Sequence, residues 1–144
     1  MQLSTKGRYA VMAMTDLAAR GEDRTVALSE ISERQQISLA YLEQLFARLR
    51  RRGLVTASRG PGGGYRLAKL AGETNIAEII AAVDEPLRAI RCSGGKTGCM
   101  RGGERCLTHD LWEETGRQIR DYLGSVSLAD VVSGRLTREP ARAA

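Results

Sequence analysis

Residues 38–68 read SLAYLEQLFARLRRRGLVTASRGPGGGYRLA. Leu39, Leu42, Leu45, Phe46 and Leu49 recur at the three- and four-residue steps of a helix with one apolar face, and Ser38 stands where an N-cap belongs. The spacing predicts a helix over Leu39–Arg52, stopped by Gly53. Those five residues form its inward stripe, and Tyr41, Glu43, Gln44 and Arg48 its other face. Beyond it, two short strand-like runs within residues 54–68 flank Gly60-Pro61-Gly62-Gly63-Gly64, the pattern of a β-hairpin with a glycine-rich tip.

Upstream, Ala10, Val11, Met14, Leu17 and Ala18 give a helix over Thr5–Arg20 that Gly21 ends. A short helix over Leu28–Gln35 follows, then a turn at Ile37-Ser38. Two helices, a turn, a longer helix and a hairpin are the elements of a winged helix-turn-helix. Downstream, Asn75 and Glu78 have capping-box spacing ahead of a helix over Ile76–Val83, ending near Asp84-Glu85-Pro86. Leu107, Leu111, Thr115, Ile119, Tyr122 and Leu123 return to helical spacing, and Ser127 caps a final short turn, Leu128–Val132. The fold class expected is mostly α with a small β-hairpin. A winged helix-turn-helix domain occupies 1–84, a cysteine-rich loop 85–106, and a dimerisation helix with its C-terminal turn 107–134, followed by a disordered tail, 135–144. The helix over Leu107–Leu123 has an apolar stripe with no evident partner in so short a chain. Leu111, Ile119 and Tyr122 are therefore expected in a homodimer interface.

Of the 22 Lys and Arg residues, 12 fall in residues 1–70 against 6 of the 17 Asp and Glu, so a net charge of +5 is concentrated in the N-terminal half. That half suits a polyanion such as nucleic acid. No apolar run reaches the ~18 residues that span a bilayer, and the N-terminus lacks a signal-peptide layout, so no membrane partner is expected and the chain reads as cytoplasmic. Three cysteines within fifteen residues of such a chain argue for a metal or redox site over a disulfide framework.

A helix of this length, ~20 Å, fits the major groove of duplex DNA. Tyr41, Glu43 and Gln44, near its start, lie where a recognition helix meets base edges; Gln pairs with adenine, and Glu accepts from the cytosine amino group. The Ser38 and Tyr41 hydroxyls and the run from Arg50 to Arg52 suit phosphates, which position without reading sequence. Arg59, beside the hairpin tip, suits the electronegative minor groove. The glycine-rich tip lacks the GxxxxGK[ST] pattern and precedes a strand, not a helix, which argues against a nucleotide loop.

The last motif is Cys92-x6-Cys99-x6-Cys106-x2-His109, on a stretch with five glycines and little periodicity, read as a loop. Three thiolates and an imidazole on such a loop can close around one metal centre. Arg91, Lys96, Arg101 and Arg105 around them would favour the thiolates. Cys3His is a common structural zinc set, although zinc ligands usually come in C-x2–4-C pairs; long glycine-rich spacers suit a larger iron–sulfur cluster. Spacing alone leaves both open. An enzyme is disfavoured: there is no C-x-x-C, no catalytic triad-like set and a single histidine for acid–base work.

The runs STKGRYAVMAM, ISERQQISLAYLEQLFARLRRRGLV, RGPGGGYRLAK and CLTHDLW resemble the IscR family of bacterial iron–sulfur cluster regulators, from Met1 to about Gly134. The resemblance implies a winged helix-turn-helix dimer joined by the long C-terminal helix and bound to a palindromic promoter site. It also implies a 2Fe–2S cluster held by Cys92, Cys99, Cys106 and His109. The cluster-loaded form would repress cluster-assembly genes, and the cluster-free form would bind a second class of promoters. Ser38, Tyr41, Glu43, Gln44 and Arg59 match the family's DNA-contacting positions, whereas Ala40 replaces an expected Ser and the cysteine spacers are about one residue longer. Related nitric-oxide sensors hold a 4Fe–4S cluster with three Cys and a carboxylate near the N-terminus, where this chain has Arg8. That reading ranks second.

Overall fold

A computed structural model describes residues 3–20, 23–83 and 98–136. Gly21, the end of the helix at Asp84-Glu85-Pro86, Cys92 with Arg91 and Lys96, and the tail beyond residue 136 lie outside the described residues. The helices are α1 (Thr5–Ala19), α2 (Leu28–Gln35), α3 (Leu39–Arg51), α4 (Ile76–Ala82), α5 (His109–Ser125) and α6 (Leu128–Ser133), and the strands are β1 (Val55–Ser58) and β2 (Gly64–Leu67). Mostly helical with one hairpin, this is the architecture the sequence predicts.

Helix α1 starts where Ser4 Oγ accepts the Gly7 N–H at 3.3 Å. Its buried positions include Gly7, Ala10 and Ala13, small residues that let neighbouring helices approach closely, with Met14 and Leu17 filling the space beyond. It packs against α2, α3, α4, α6 and β2 and so forms the centre of the core. Asp16 is buried on the same helix and accepts from Arg34 Nη2 at 2.7 Å, from Arg34 Nε at 3.1 Å and from Gln35 Nε2 at 2.8 Å, which ties α1 to α2.

The turn between α2 and α3 pivots on Gln36, the one non-glycine with a positive φ (56°) among the described residues. Ser32 Oγ donates to the Ile37 carbonyl at 2.6 Å and fastens the turn, and Ile37 enters the core. Ser38 caps α3 by accepting the Tyr41 N–H at 3.1 Å. Leu42, Leu45, Phe46 and Leu49 are buried, but Leu39 is 42% exposed and must be removed from the inward stripe. By helical angle it shares their face, yet it sits in the first turn, at the end of that buried row.

Strands β1 and β2 pair antiparallel, Val55 opposite Leu67 and Ser58 opposite Gly64. A third segment joins them: Val26 and Tyr65 exchange two backbone hydrogen bonds of 2.8 Å. Gly64 is required here, because a Cβ would collide with the Val26 carbonyl. Thr25 Oγ1 donates to the Gly62 carbonyl at 2.8 Å, and the Tyr65 ring meets Phe46 edge-on at 4.9 Å. The wing is thereby fixed both to the segment before α2 and to α3.

Asn75 Oδ1 accepts the Glu78 N–H at 2.9 Å, as the capping spacing predicts, but the Glu78 carboxylate takes the Asn75 side-chain amide (3.2 Å) and Lys69 (2.7 Å). The backbone on either side of Asn75 joins another element. Ile76 N–H donates to the Val126 carbonyl at 3.0 Å and Leu128 N–H to the Thr74 carbonyl at 2.9 Å, joining the starts of α4 and α6. Helix α6 then buries Leu128 in the core that α1 centres. No helix among the described residues is long and apolar enough to cross a membrane.

Candidate DNA interface and metal centre

Helix α3 presents Ala40, Glu43, Gln44, Ala47, Arg50 and Arg51 to solvent. Its opposite face is held in the core, so the exposed row is rigidly carried. Tyr41 is half-buried, its ring edge-on to Tyr9 at 5.8 Å, which orients its hydroxyl end. Ser38 is exposed; its Oγ lone pair accepts from the helix cap, and its O–H remains a donor. Arg48 departs from expectation. It turns back from the exposed row, and its Nη1 donates to the Val83 carbonyl at the end of α4, at 3.1 Å.

Arg50, Arg51 and Arg52 are all exposed. Ala47, Arg50, Arg51 and Tyr65 line an open groove of about 410 Å3 between the end of α3 and the wing. Arg51 and Tyr65 share this concavity with Arg50, a grouping that the arginine run in the sequence does not announce. Arg59 is exposed at the hairpin, next to Gly60 (φ 92°). The exposed face of α3, the arginine groove and the wing form a basic surface with one protruding helix, and Glu43 is the carboxylate on it.

The second site lies at the start of α5. Residues 98–104 are a loop, as expected, and one organised by its own backbone hydrogen bonds. Gly98 N–H donates to the Gly103 carbonyl (3.0 Å), Met100 N–H to the Glu104 carbonyl (2.9 Å) and Gly103 N–H to the Met100 carbonyl (3.0 Å). Gly103 sits at φ 85°, and a Cβ at Gly98 would collide with the Glu104 carbonyl, so both glycines are structural requirements of this turn. The turn carries Cys99 Sγ to 3.4 Å from His109 Nδ1, and the Cys106 N–H donates to Cys99 Sγ at 3.1 Å.

His109 is the first residue of α5 and is only 8% exposed. Its Nε2 faces Glu113 Oε2 at 3.7 Å, one helical turn along. Cys106 Sγ lies 3.7 Å from Thr108 Oγ1, and that oxygen also accepts from Trp112 Nε1 at 3.1 Å. Of the cations expected around the thiols, Arg105 faces Asp110 at 3.7 Å and Arg101 is exposed. Cys99 Sγ and His109 Nδ1 are thus brought together, with Cys106 beside them through its backbone N–H, while the ligating atoms of His109, Asp110 and Glu113 lie within 4.8 Å of one another. Two soft sulfur donors and an imidazole, with a backbone N–H already aimed at one sulfur, are chemically suited to zinc or an iron–sulfur cluster. Glu113 was not foreseen; its i+4 offset from His109 was the available signal.

Helix α5 buries Gly116 with His109 and packs on α4, while Leu123 reaches the core. Ile119 is half-buried, whereas Leu111 (58%), Trp112 (37%) and Tyr122 (53%) are exposed. The helix starts two residues later than its apolar spacing suggested, and Leu107 lies outside it and fully exposed.

A helix-turn-helix with an outward-facing second helix, followed by a hairpin fastened beside it, defines a winged helix-turn-helix transcription regulator. The chain belongs to the Rrf2 family of iron-dependent transcriptional regulators, whose pattern matches residues 3–134. It is 55% identical over 135 residues to the HTH-type transcriptional regulator IscR of Xenorhabdus nematophila, covering 94% of this chain and 81% of that one. The IscR of Photorhabdus laumondii is 54% identical with the same coverage. Among solved structures, T. potens IscR superposes with a TM-score of 0.75 at 36% identity, covering 94% of this chain and 88% of that one. CymR, the global cysteine regulator of B. subtilis, superposes with a TM-score of 0.80 at 29% identity, covering 93% and 98%.

Proposed function

We propose that this chain is an iron–sulfur-cluster-sensing transcription regulator that binds palindromic promoter DNA as a homodimer and represses cluster-assembly genes in its loaded state. The single observation that supports it most is the approach of Cys99 Sγ to His109 Nδ1, 3.4 Å, on a turn that also aims the Cys106 N–H at that sulfur. N–H donation to sulfur is the kind of contact that stabilises anionic cluster thiolates and tunes their potential. Cys99, Cys106 and His109, with Cys92, would hold a 2Fe–2S cluster. Such a group supplies a redox-sensitive, iron-dependent crosslink between chain segments, and the residues around it do the rest.

On the DNA side, Glu43 and Gln44 meet base edges. Ser38, Tyr41 and Arg50 contact phosphates and Arg59 enters the minor groove. The exposed apolar side chains of α5, Leu111 and Tyr122 with the half-buried Ile119, meet their counterparts in a second chain. Two recognition helices then fall about one DNA turn, ~34 Å, apart. The test is an absorption spectrum of anaerobically purified protein with iron, sulfide and zinc analysis. Iron and sulfide in near-equal amounts are expected; a colourless protein with one zinc per chain would refute the reading. Cys106→Ala should abolish stable cluster binding and leave a folded dimer.

A further inference from the structure

Two neighbouring carboxylates on α5 have different surroundings. Glu114 points along the solvent side of the helix, where Arg117 Nε donates to its Oε2 at 2.8 Å and Gln118 Nε2 to its Oε1 at 2.7 Å. Glu113, one residue earlier, brings its carboxylate to the outer nitrogen of the almost buried His109 ring. The ring is therefore addressed from both ends: Nδ1 faces Cys99 Sγ at 3.4 Å, and Nε2 faces Glu113 Oε2 at 3.7 Å. A neutral imidazole has one lone pair and one N–H. Whichever nitrogen meets a carboxylate keeps the proton, because the carboxylate only accepts; the lone pair is then left on the nitrogen that faces the sulfur. The i,i+4 relation on a helix repeats this geometry without help from any other element.

We propose that Glu113 is the positioning residue for His109 as a cluster ligand. It holds the Nε2–H, so that Nδ1 offers its lone pair on the side where Cys99 Sγ stands, and its negative charge makes the imidazole a stronger donor. Rotation of the exposed Glu113 side chain is enough to close the 3.7 Å contact to a hydrogen bond. This rests on the proposed cluster site, and it assigns to the sequence a residue outside the Cys3His set. Outer carboxylates of this kind orient a metal-bound histidine, and their loss commonly weakens the site by 10–100-fold.

His109 is the chain's single histidine, so 15N-labelled histidine gives one imidazole to observe. In metal-free protein at neutral to alkaline pH, the wild-type ring should be the Nε2–H tautomer, and Glu113→Ala should shift it toward a mixture. In loaded protein, Glu113→Gln should move the cluster's reduction potential to a more positive value and speed cluster loss to a chelator about tenfold. Glu113→Asp, with its charge kept but its reach shortened, should fall between. A purely structural role would leave potential and tautomer where they are, and that result would overturn the proposal. So would complete loss of the cluster in Glu113→Gln, since Glu113 would then be a ligand itself. A wild-type chain that takes up no iron and sulfide defeats the proposed function, a failure recognisable before any variant is made.

Discussion

Replacing Arg34 with Met should destabilise the protein by about 3 kcal/mol at neutral pH. The Asp16 side chain is 1% exposed, whereas that of Arg34 is 27% exposed. Arg34 supplies donors to both carboxylate oxygens, at 2.7 and 3.1 Å, and Met keeps the apolar stem while removing them. Breaking a buried pair by deleting one partner costs roughly 3–5 kcal/mol. The lower end applies because the Gln35 amide still donates at 2.8 Å and the charge of Arg20 still acts on the carboxylate. For a chain of this size that is a fall of roughly 6–12 °C in Tm. Burial opposes the charged form of Asp16, but the hydrogen bonds from Arg34 and Gln35 and the Arg34 charge outweigh it and hold its pKa below the ordinary 3.8. A depressed carboxyl pKa contributes stability that is fully present above the unfolded value and is lost as pH falls through the folded one. The variant keeps the burial of Asp16 but loses most of what lowers its pKa, so its carboxyl protonates at a higher pH than the wild type's, and the gap between the two should narrow as pH falls through the carboxylate range. Urea unfolding followed by circular dichroism, at one fixed protein concentration, measures it. A loss under about 1 kcal/mol at pH 7, or a gap that does not narrow in acid, would refute the reasoning.

Leu111→Glu and Ile119→Glu should each give monomers with poor operator affinity, by sedimentation and DNA titration; wild-type protein that sediments as a monomer at micromolar concentration would contradict the α5 interface. Thr25→Val removes the hydroxyl that holds the Gly62 carbonyl; it should lower the stability to unfolding by the ~1 kcal/mol of one hydrogen bond and weaken DNA binding by loosening the wing. Thr25→Ser should restore both. Glu43→Ala in cluster-free protein should gain roughly 1–3 kcal/mol for the cluster-dependent site, because a carboxylate is repelled where no cytosine amino group meets it. Equal weakening at both promoter classes, titrated at one salt concentration, would make Glu43 a folding or positioning residue.

Element boundaries were legible to within one or two residues because they are set by local chemistry. Ser38 and Ser127 accept backbone N–H groups as their spacing requires, and the wing follows from its glycines, of which Gly63 and Gly64 admit no Cβ without collision. What stayed hidden depends on partners distant in sequence. Gln36 carries a left-handed turn with none of the glycine that usually announces one. Arg48 looked exposed by helical angle, yet its long stem reaches a carbonyl 35 residues away. Leu39 has the right period but the wrong end of the helix. In the cysteine stretch the loop was readable, but the turn over 98–104 within it was not, because backbone-to-backbone bonds leave no periodic trace in side chains.

The same contacts decide how the two sites can communicate. His109 opens α5, α5 packs on α4, and the carbonyl of Val83 at the end of α4 receives Arg48 from the recognition helix. Arg48 lies four and five residues beyond Gln44 and Glu43, on the same rigid helix, so a displacement at the start of α5 has a packed route to the groove-facing side chains. Packed helices shift as units and do not bend residue by residue, so this is the route by which a movement at His109 would reach Glu43. A contiguous route is a precondition for coupling and not a measure of it. The measure is the ratio of loaded to cluster-free affinity in the Glu43→Ala titrations. If that ratio matches the wild-type value at both promoter classes, the signal reaches DNA by the spacing of the two subunits, through α5 alone, and not through the face of α3.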